Sequence, residues 1–214
     1  MDEQIRKLKE LVDGSHNIVF FGGAGVSTES GIPDFRSVDG LYHQKFRYPP
    51  ETMLSHSFYM AHKAEFYEFY RAKMLAPDAR PNAAHRKLAQ WEQEGKLKAV
   101  ITQNIDGLHQ KAGSREVLEL HGSVLRNFCM DCGAAYPVDD LLRLRNEAAD
   151  GVPRCPACGG IVKPDVVLYE EPLDEEIYNI MAAPPEVLER CELYINLPQE
   201  TLKFYNDLWT RLGI

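Results

Sequence analysis

The chain lacks an excess of positive charge. Its 24 lysines and arginines stand against 32 aspartates and glutamates, a net charge of −8. That removes the broad basic footprint with which nucleic-acid-binding proteins neutralise phosphates, so no direct nucleic-acid partner is expected. No apolar run approaches the roughly 20 residues that cross a bilayer, and no membrane partner is expected either. Residues 1–17, MDEQIRKLKELVDGSHN, carry charge and no apolar signal-peptide core. A cytoplasmic location is the default expectation. Internal repeats and low-complexity segments are absent, which excludes solenoids and linker-rich chains. Cysteine is scarce, with five in 214 residues. The apolar fraction of 44% and charged fraction of 26% are those of a globular protein. The length suits one domain, or one domain with a small insert, and can bury a sizeable core.

The most informative stretch is Ile18 to Ser37, IVFFGGAGVSTESGIPDFRS. A β-type run, Ile18 to Phe21, stops at Gly22-Gly23-Ala24-Gly25. Glycines after a strand let a phosphate approach main-chain N–H groups, so a nucleotide site is expected. A bare glycine cluster also marks ordinary turns. The text after it, Ser27, Thr28, Ser30 and Pro33-Asp34-Phe35-Arg36, is too idiosyncratic for a generic turn.

Further along, apolar spacing at Ile5, Leu8, Leu11 and Val12 predicts a first helix. Residues 37–56 read as irregular. Residues 57–75 read as an aromatic-rich helix serving the core. A second helix runs from Asn82, its cap, to Gly95. Strands are expected at 98–102, 117–120, 166–169 and 193–197, with helices at 174–190 and 200–212. Strands alternating with helices imply an α/β fold with a mostly parallel sheet flanked by helices.

Four of the cysteines form two knuckles, Cys129-x-x-Cys132 and Cys155-x-x-Cys158, within a module at 126–163. Four thiolates close a tetrahedral Zn²⁺ shell and leave no open position, which reads as structural zinc. Free or disulfide-bonded cysteines are the other reading. Cys191 stands alone and reads as a buried apolar-type residue.

Gln103-Asn104-Ile105-Asp106 follows a predicted strand, where ligands bind in open α/β sheets. Two amides and an acid there suit a carboxamide and ribose hydroxyls; an Asx-capped turn is the equal alternative. His121 also follows a strand, with an ordinary pKa near ~6.5 suited to proton transfer. His85 and His109 are its rivals.

In this order, GAGVSTESGIPDFRS (23–37), TQNIDGLH (102–109), ELHGSV (119–124) and the two knuckles resemble the bacterial sirtuins, NAD-dependent protein lysine deacylases. The resemblance runs from about residue 5 to about residue 175. It implies a discontinuous Rossmann-like NAD-binding domain, 1–125 and 164–214, with the zinc module 126–163 inserted. It implies that Gly22, Gly23, Ala24, Gly25, Ser27, Asp34, Phe35 and Arg36 line the NAD site, Phe35 and Arg36 on a mobile loop. Gln103, Asn104, Ile105 and Asp106 would hold the nicotinamide ribose and carboxamide. Asn104 and His121 would be catalytic, His121 as general base. Val166, Val167, Leu168 and Tyr169 would pair with an acyl-lysine peptide by strand addition. The implied products are free lysine, nicotinamide and O-acetyl-ADP-ribose.

Sirtuins that prefer succinyl or malonyl lysine carry a Tyr-x-x-Arg pair in the aromatic helix. Here Tyr67 matches the tyrosine and Tyr70 the arginine, which favours neutral acyl groups, acetyl first. After about residue 175 the family pattern is not followed. No Gly-Thr-Ser or Gly-Ser-Ser follows Tyr169, and one strand–helix unit is missing on this alignment. Asn196, after the strand Leu193–Leu197, matches the family's late asparagine. The second functional reading is therefore an acyl-lysine binding module that turns over little NAD.

Overall fold

The computed structural model describes residues 3–34, 40 and 47–173. The chain divides into two compact units, Met1–Asp174 and Glu175–Ile214, and the described residues belong to the first. Phe35, Arg36, Cys191 and Asn196 lie outside the described residues, as do the expected helices at 174–190 and 200–212 and the strand at 193–197.

Helix α1 (Glu3–Gly14) leads into strand β1 (Ile18–Gly22), as the periodicity predicts. Leu8 and Leu11 on α1 are nevertheless each 61% exposed. The glycine turn then opens a 3-10 helix, Ala24–Ser30, which Gly31 ends in the left-handed region. Residues 37–56 are not wholly irregular, because Pro50–Met53 forms a short helix, α2, with proline at its first turn.

The aromatic stretch is broken where one helix over 57–75 is expected. It forms α3 (His56–Ala61), α4 (Lys63–Phe69) and a π-helical turn at Tyr70–Met74. His62, at φ −133° and ψ 51°, leaves helical geometry and separates the first two. Ser55 caps α3 by accepting a hydrogen bond from the Phe58 N–H at 3.2 Å. The core assignment holds: Phe58, Tyr59, Phe66, Tyr67, Phe69 and Tyr70 are all buried.

Helix α5 (Ala83–Gln93) is capped by Asn82, and β2 (Leu97–Thr102) follows. A short helix, α6 (Leu108–Ala112), connects β2 to β3 (Val117–Glu119). The three strands form a parallel sheet in the order β1-β2-β3. Gly22 registers with Thr102, and Thr102 with Glu119. The glycine turn, the 103–106 loop and His121 thus leave the sheet at one end. Leu88 of α5 packs on Leu97 and Val100 beneath them.

A second sheet is antiparallel, with β4 (Gly122–Cys129) between β5 (Ala135–Pro137) and β6 (Val162–Val166). Helix α7 (Val138–Glu147) buries Leu141 and Leu144 in the same core as the aromatic helices. The strand expected at Val166–Tyr169 lies earlier. β6 ends at Val166, and the next residues turn away to other partners. The Val167 N–H donates to the His121 carbonyl at 3.1 Å, and the Tyr169 N–H donates to that of Leu54 at 3.0 Å. Pro164 is tolerated because β6 is an edge strand of its sheet. Among the described residues, no helix is long and apolar enough to cross a membrane.

Candidate functional site

The site is built from three strand ends. At the first, Gly22 closes β1 and its carbonyl accepts the Gln103 N–H at 2.9 Å. Gly23, in extended conformation, precedes Ala24 and Gly25 of the 3-10 helix. A side chain at Gly23 would press on the Gln103 amide, whereas Gly25 faces open space. Bare backbone beside open space at a strand's end is a cradle that a dinucleotide phosphate fits. Ser27 is buried in this turn, and Asp34 is half-buried after it.

At the second strand end, the loop after β2 converges on Ser27. The Ser27 hydroxyl donates to Asp106 Oδ2 at 2.7 Å and accepts from Asn104 Nδ2 at 3.0 Å. Asp106 Oδ1 accepts the Leu108 N–H at 2.9 Å. Asn104 is itself fixed by its N–H, which donates to Thr102 Oγ1 at 3.0 Å. The Ile105 carbonyl accepts the Val124 N–H at 3.0 Å, tying the loop to β4. The Asx turn on Leu108 and the polar convergence on Ser27 therefore coexist, and neither alternative excludes the other.

At the third, His121 follows β3. Its Nδ1 lies 3.0 Å from the Gln103 carbonyl oxygen. A carbonyl only accepts, so Nδ1 carries the proton and Nε2 holds the lone pair. Burial pushes the His121 pKa below its ordinary value, against the hydrogen bond to Gln103, which raises it. The ring is neutral at pH 7 and able to take a proton at Nε2. Gly122 next to it has φ +75°, and a Cβ there would overlap the Asp165 carbonyl. Arg126 spans the same junction, donating to Glu119 at 2.6 Å and to Asp165 at 2.8 Å.

The rival histidines are interior. His85 and His109 are 0% and 1% exposed, with ring centroids 4.7 Å apart. Burial drives both pKa values down, that of His109 to about 4, where the neighbouring His85 lowers it further. They form a neutral packed pair behind Asp106.

The four cysteine sulfurs of the knuckles lie within 4.8 Å of one another. Cys129 and Cys158 are 3.4 Å apart, Cys132 and Cys155 3.7 Å. Those separations exclude disulfides, whose S–S bond is about 2.05 Å. They fit a tetrahedral ion with Zn–S bonds of about 2.3 Å. The knuckles are alike: the Gly133 N–H donates to the Cys129 carbonyl at 3.0 Å, and the Gly159 N–H to the Cys155 carbonyl at 2.8 Å. The Tyr136 hydroxyl, 3.0 Å from Cys155 Sγ, holds that thiol's pKa down to about 6.

The segment after β6 is anchored at many points. The Leu168 N–H donates to Glu171 at 2.8 Å, and Glu170 accepts from the Ser57 N–H at 2.9 Å. Val166 and Leu168 are buried, and Tyr169 is 48% exposed. Glu170 is the one non-glycine residue with positive φ, +75°, among those described.

Thr102, Arg126 and Asn82 hold the site and were not singled out as site residues by sequence reasoning. Asn82 carries a legible capping signal, but the signal does not say what else its amide touches. Thr102 opens the motif TQNIDGLH, but nothing in it says what the hydroxyl holds, and nothing local marks Arg126.

A parallel sheet with a glycine turn, a polar loop and a histidine at one end, next to a four-thiolate module, defines a nucleotide-site protein with a structural metal module. The Sir2 family model matches residues 23–197. An NAD-dependent protein deacetylase of Clostridium perfringens is 59% identical over 179 residues, which span 83% of this chain and 71% of that one. A protein of the same description from Sulfolobus acidocaldarius is 46% identical over 84% of this chain and 69% of its own. Among solved structures, Sir2 bound to an acetylated peptide aligns with a TM-score of 0.71 at 36% identity, covering 84% of this chain and 69% of that one. A Sir2 variant solved with a deacetylated peptide and 3′-O-acetyl ADP-ribose aligns at 0.75 and 36% identity, covering 82% and 70%. The chain belongs to the Sir2 family, the sirtuins.

Proposed function

We propose that the chain is an NAD-dependent protein lysine deacetylase that releases nicotinamide and O-acetyl-ADP-ribose. The observation that carries the reading is the convergence of Ser27, Asn104 and Asp106 on one point, with His121 hydrogen-bonded to the backbone of the same loop. The hydroxyl, amide and carboxylate supply donors and acceptors for the nicotinamide carboxamide and ribose. His121, neutral and with its Nε2 lone pair available, takes a proton from a ribose hydroxyl. The bare backbone of Gly23 to Gly25 receives phosphate, with Asp34, Phe35 and Arg36 completing the cofactor loop. Bound zinc holds the module 126–163 together through its four thiolates and takes no part in the chemistry. Residues 1–125 and 164–214 form the NAD-binding part. Acyl-lysine peptide runs along Val166 to Tyr169.

The test is nicotinamide release from NAD with an acetyl-lysine peptide. Wild type is expected to turn over and His121→Ala to lose turnover while staying folded. Peptide binding without turnover in either protein would replace this reading with that of an acyl-lysine binding module.

The acyl preference is neutral. Tyr67 donates its hydroxyl to the Val162 carbonyl at 2.7 Å, and Tyr70 is buried against Phe66. No guanidinium stands at Tyr70 to pair with a charged acyl group. Acetyl-lysine peptide is expected to have the higher kcat/KM, and a preference for succinyl-lysine sinks this assignment.

A further inference from the structure

Ser27 sits on a 3-10 helix, whose hydrogen-bond geometry is poorer than that of an α-helix. The turn closes its own bonds: the Val26 N–H donates to Gly23 at 3.0 Å, Thr28 Oγ1 donates to Gly25 at 3.0 Å, and the Gly31 N–H donates to Thr28 at 3.0 Å. These fix its shape. Its near end is placed by β1, where the Gly22 carbonyl accepts the Gln103 N–H at 2.9 Å, and side chains hold the stretch around Val26 and Ser27. Ser27 is one tie, through Asp106 and Asn104. A second, among the described residues, is Asn82, whose Nδ2 donates to the Val26 carbonyl at 2.7 Å across 56 residues of sequence.

The Asn82 amide has one orientation available. Its Oδ1 accepts the Ala84 N–H at 2.9 Å and the His85 N–H at 3.4 Å, as the cap of α5. A flipped amide would face two donors with a third. The Asn82 N–H in turn donates to His85 Nδ1 at 3.3 Å, closing the capping box. That bond needs an unprotonated Nδ1, and the buried His85 ring provides it. Asn82 is only 8% exposed, so little water competes for these bonds. Serine and aspartate cap a helix as well as asparagine does. Neither carries an acceptor for the helix together with a donor that reaches Val26.

We propose that Asn82 is a positioning residue for the NAD site: it anchors the Val26 carbonyl to the rigid start of α5 and thereby sets where the Ser27 hydroxyl meets Asp106 and Asn104. The inference rests on the reading of Ser27, Asn104 and Asp106 as the nicotinamide–ribose site. The residue's two halves do separate work, the oxygen for α5 and the nitrogen for the turn.

Asn82→Ser and Asn82→Asp keep the cap and remove the tie. NAD titration calorimetry, peptide KM and melting temperature are measured for both, with Ser27→Ala as reference. The expected result is NAD affinity weakened about tenfold, about 1.4 kcal/mol, with peptide KM within twofold of wild type and a cooperative melt retained. Asn82→Ser introduces no buried charge and serves if Asn82→Asp does not fold. Unchanged NAD affinity in Asn82→Ser, with Ser27→Ala weakened, overturns the role of Asn82 and leaves the NAD reading standing. An equal loss of NAD affinity and rise in peptide KM reduces Asn82 to a structural cap and also overturns it. If Ser27→Ala binds NAD like wild type, the site reading falls and the inference with it.

Discussion

Around the antiparallel sheet, Tyr59, Phe66, Tyr67 and Tyr70 are each at most 2% exposed and share one buried cluster with Leu141, Val162 and Cys155. Around the parallel sheet, Leu88, Leu97 and Val100 form a small buried centre, while Val19 and Phe21 of β1 are 41% and 40% exposed. The first region is held by apolar burial and a thiolate cluster, both insensitive to small changes of angle. The second is fixed at its working end by directional bonds among Ser27, Asn104, Asp106, Gln103 and His121. A site that must present polar atoms to a ligand cannot bury them in a greasy core, so hydrogen bonds define it instead. The consequence is that damage to the first region costs stability, and damage to the second costs function first.

Removing the metal breaks the comparison most severely. Structural zinc contributes about 10–16 kcal/mol of apparent binding energy in small modules. Chelation, or Cys155→Ser, is expected to lower zinc content and to drop the melting temperature by more than ~10 °C. An unchanged melt in metal-free protein, read by calorimetry beside metal analysis, removes zinc from the structural account.

His121→Ala tests the opposite region. Loss of the proposed general base is expected to cost roughly 10²–10⁴ in rate, with the melting temperature near that of wild type. A large fall in melting temperature would make His121 a stability residue and blur the contrast.

Gly122→Ala strikes the junction between the two sheets. Its φ of +75° and the overlap with the Asp165 carbonyl disfavour any side chain. Strain of this kind costs about 1–3 kcal/mol, so a melting point lower by several degrees is expected together with reduced turnover. Full activity in a folded Gly122→Ala would show that the junction does not place His121.

The smallest effect is a pH dependence. The folded pKa of His109 is about 4, and that of His85 is also depressed, both chiefly by burial. The unfolded chain, with histidines near ~6.5, binds more protons between those values. Stability is therefore full above about pH 6.5 and declines as the pH falls toward 4. His109→Phe is expected to flatten the melting-temperature profile in that window. An equally steep profile in the variant would assign the acid sensitivity to other groups.

Much of this was legible in the residues. The run IVFF before glycine predicts β1, and Asn82 before an amphipathic segment predicts α5, because both signals act within a few residues. The knuckles predict their cluster, since a C-x-x-C turn places both sulfurs on one side whatever lies around it. Two readings differ from the structure, and in the second a distant partner decides. The aromatic helix over 57–75 breaks at His62, and the strand expected at Val166–Tyr169 is displaced to Val162–Val166, because β4 pairs with residues 162–166 and the backbone beyond is claimed by His121 and Leu54. Register is set by the partner strand, which local pattern does not contain.

The sequence by itself determined the residue types of the site, the thiolate set and the alternation of strands and helices, because those follow from composition and short-range spacing. The tertiary structure alone decided that Gly22, Thr102 and Glu119 share one register, which brings the ends of β1, β2 and β3 together. It alone decided which histidines are interior, the tautomer that Gln103 imposes on His121, and the reach of Asn82 to Val26. Each of these depends on contacts between residues far apart in the chain, and such contacts exist only once the sheet has formed.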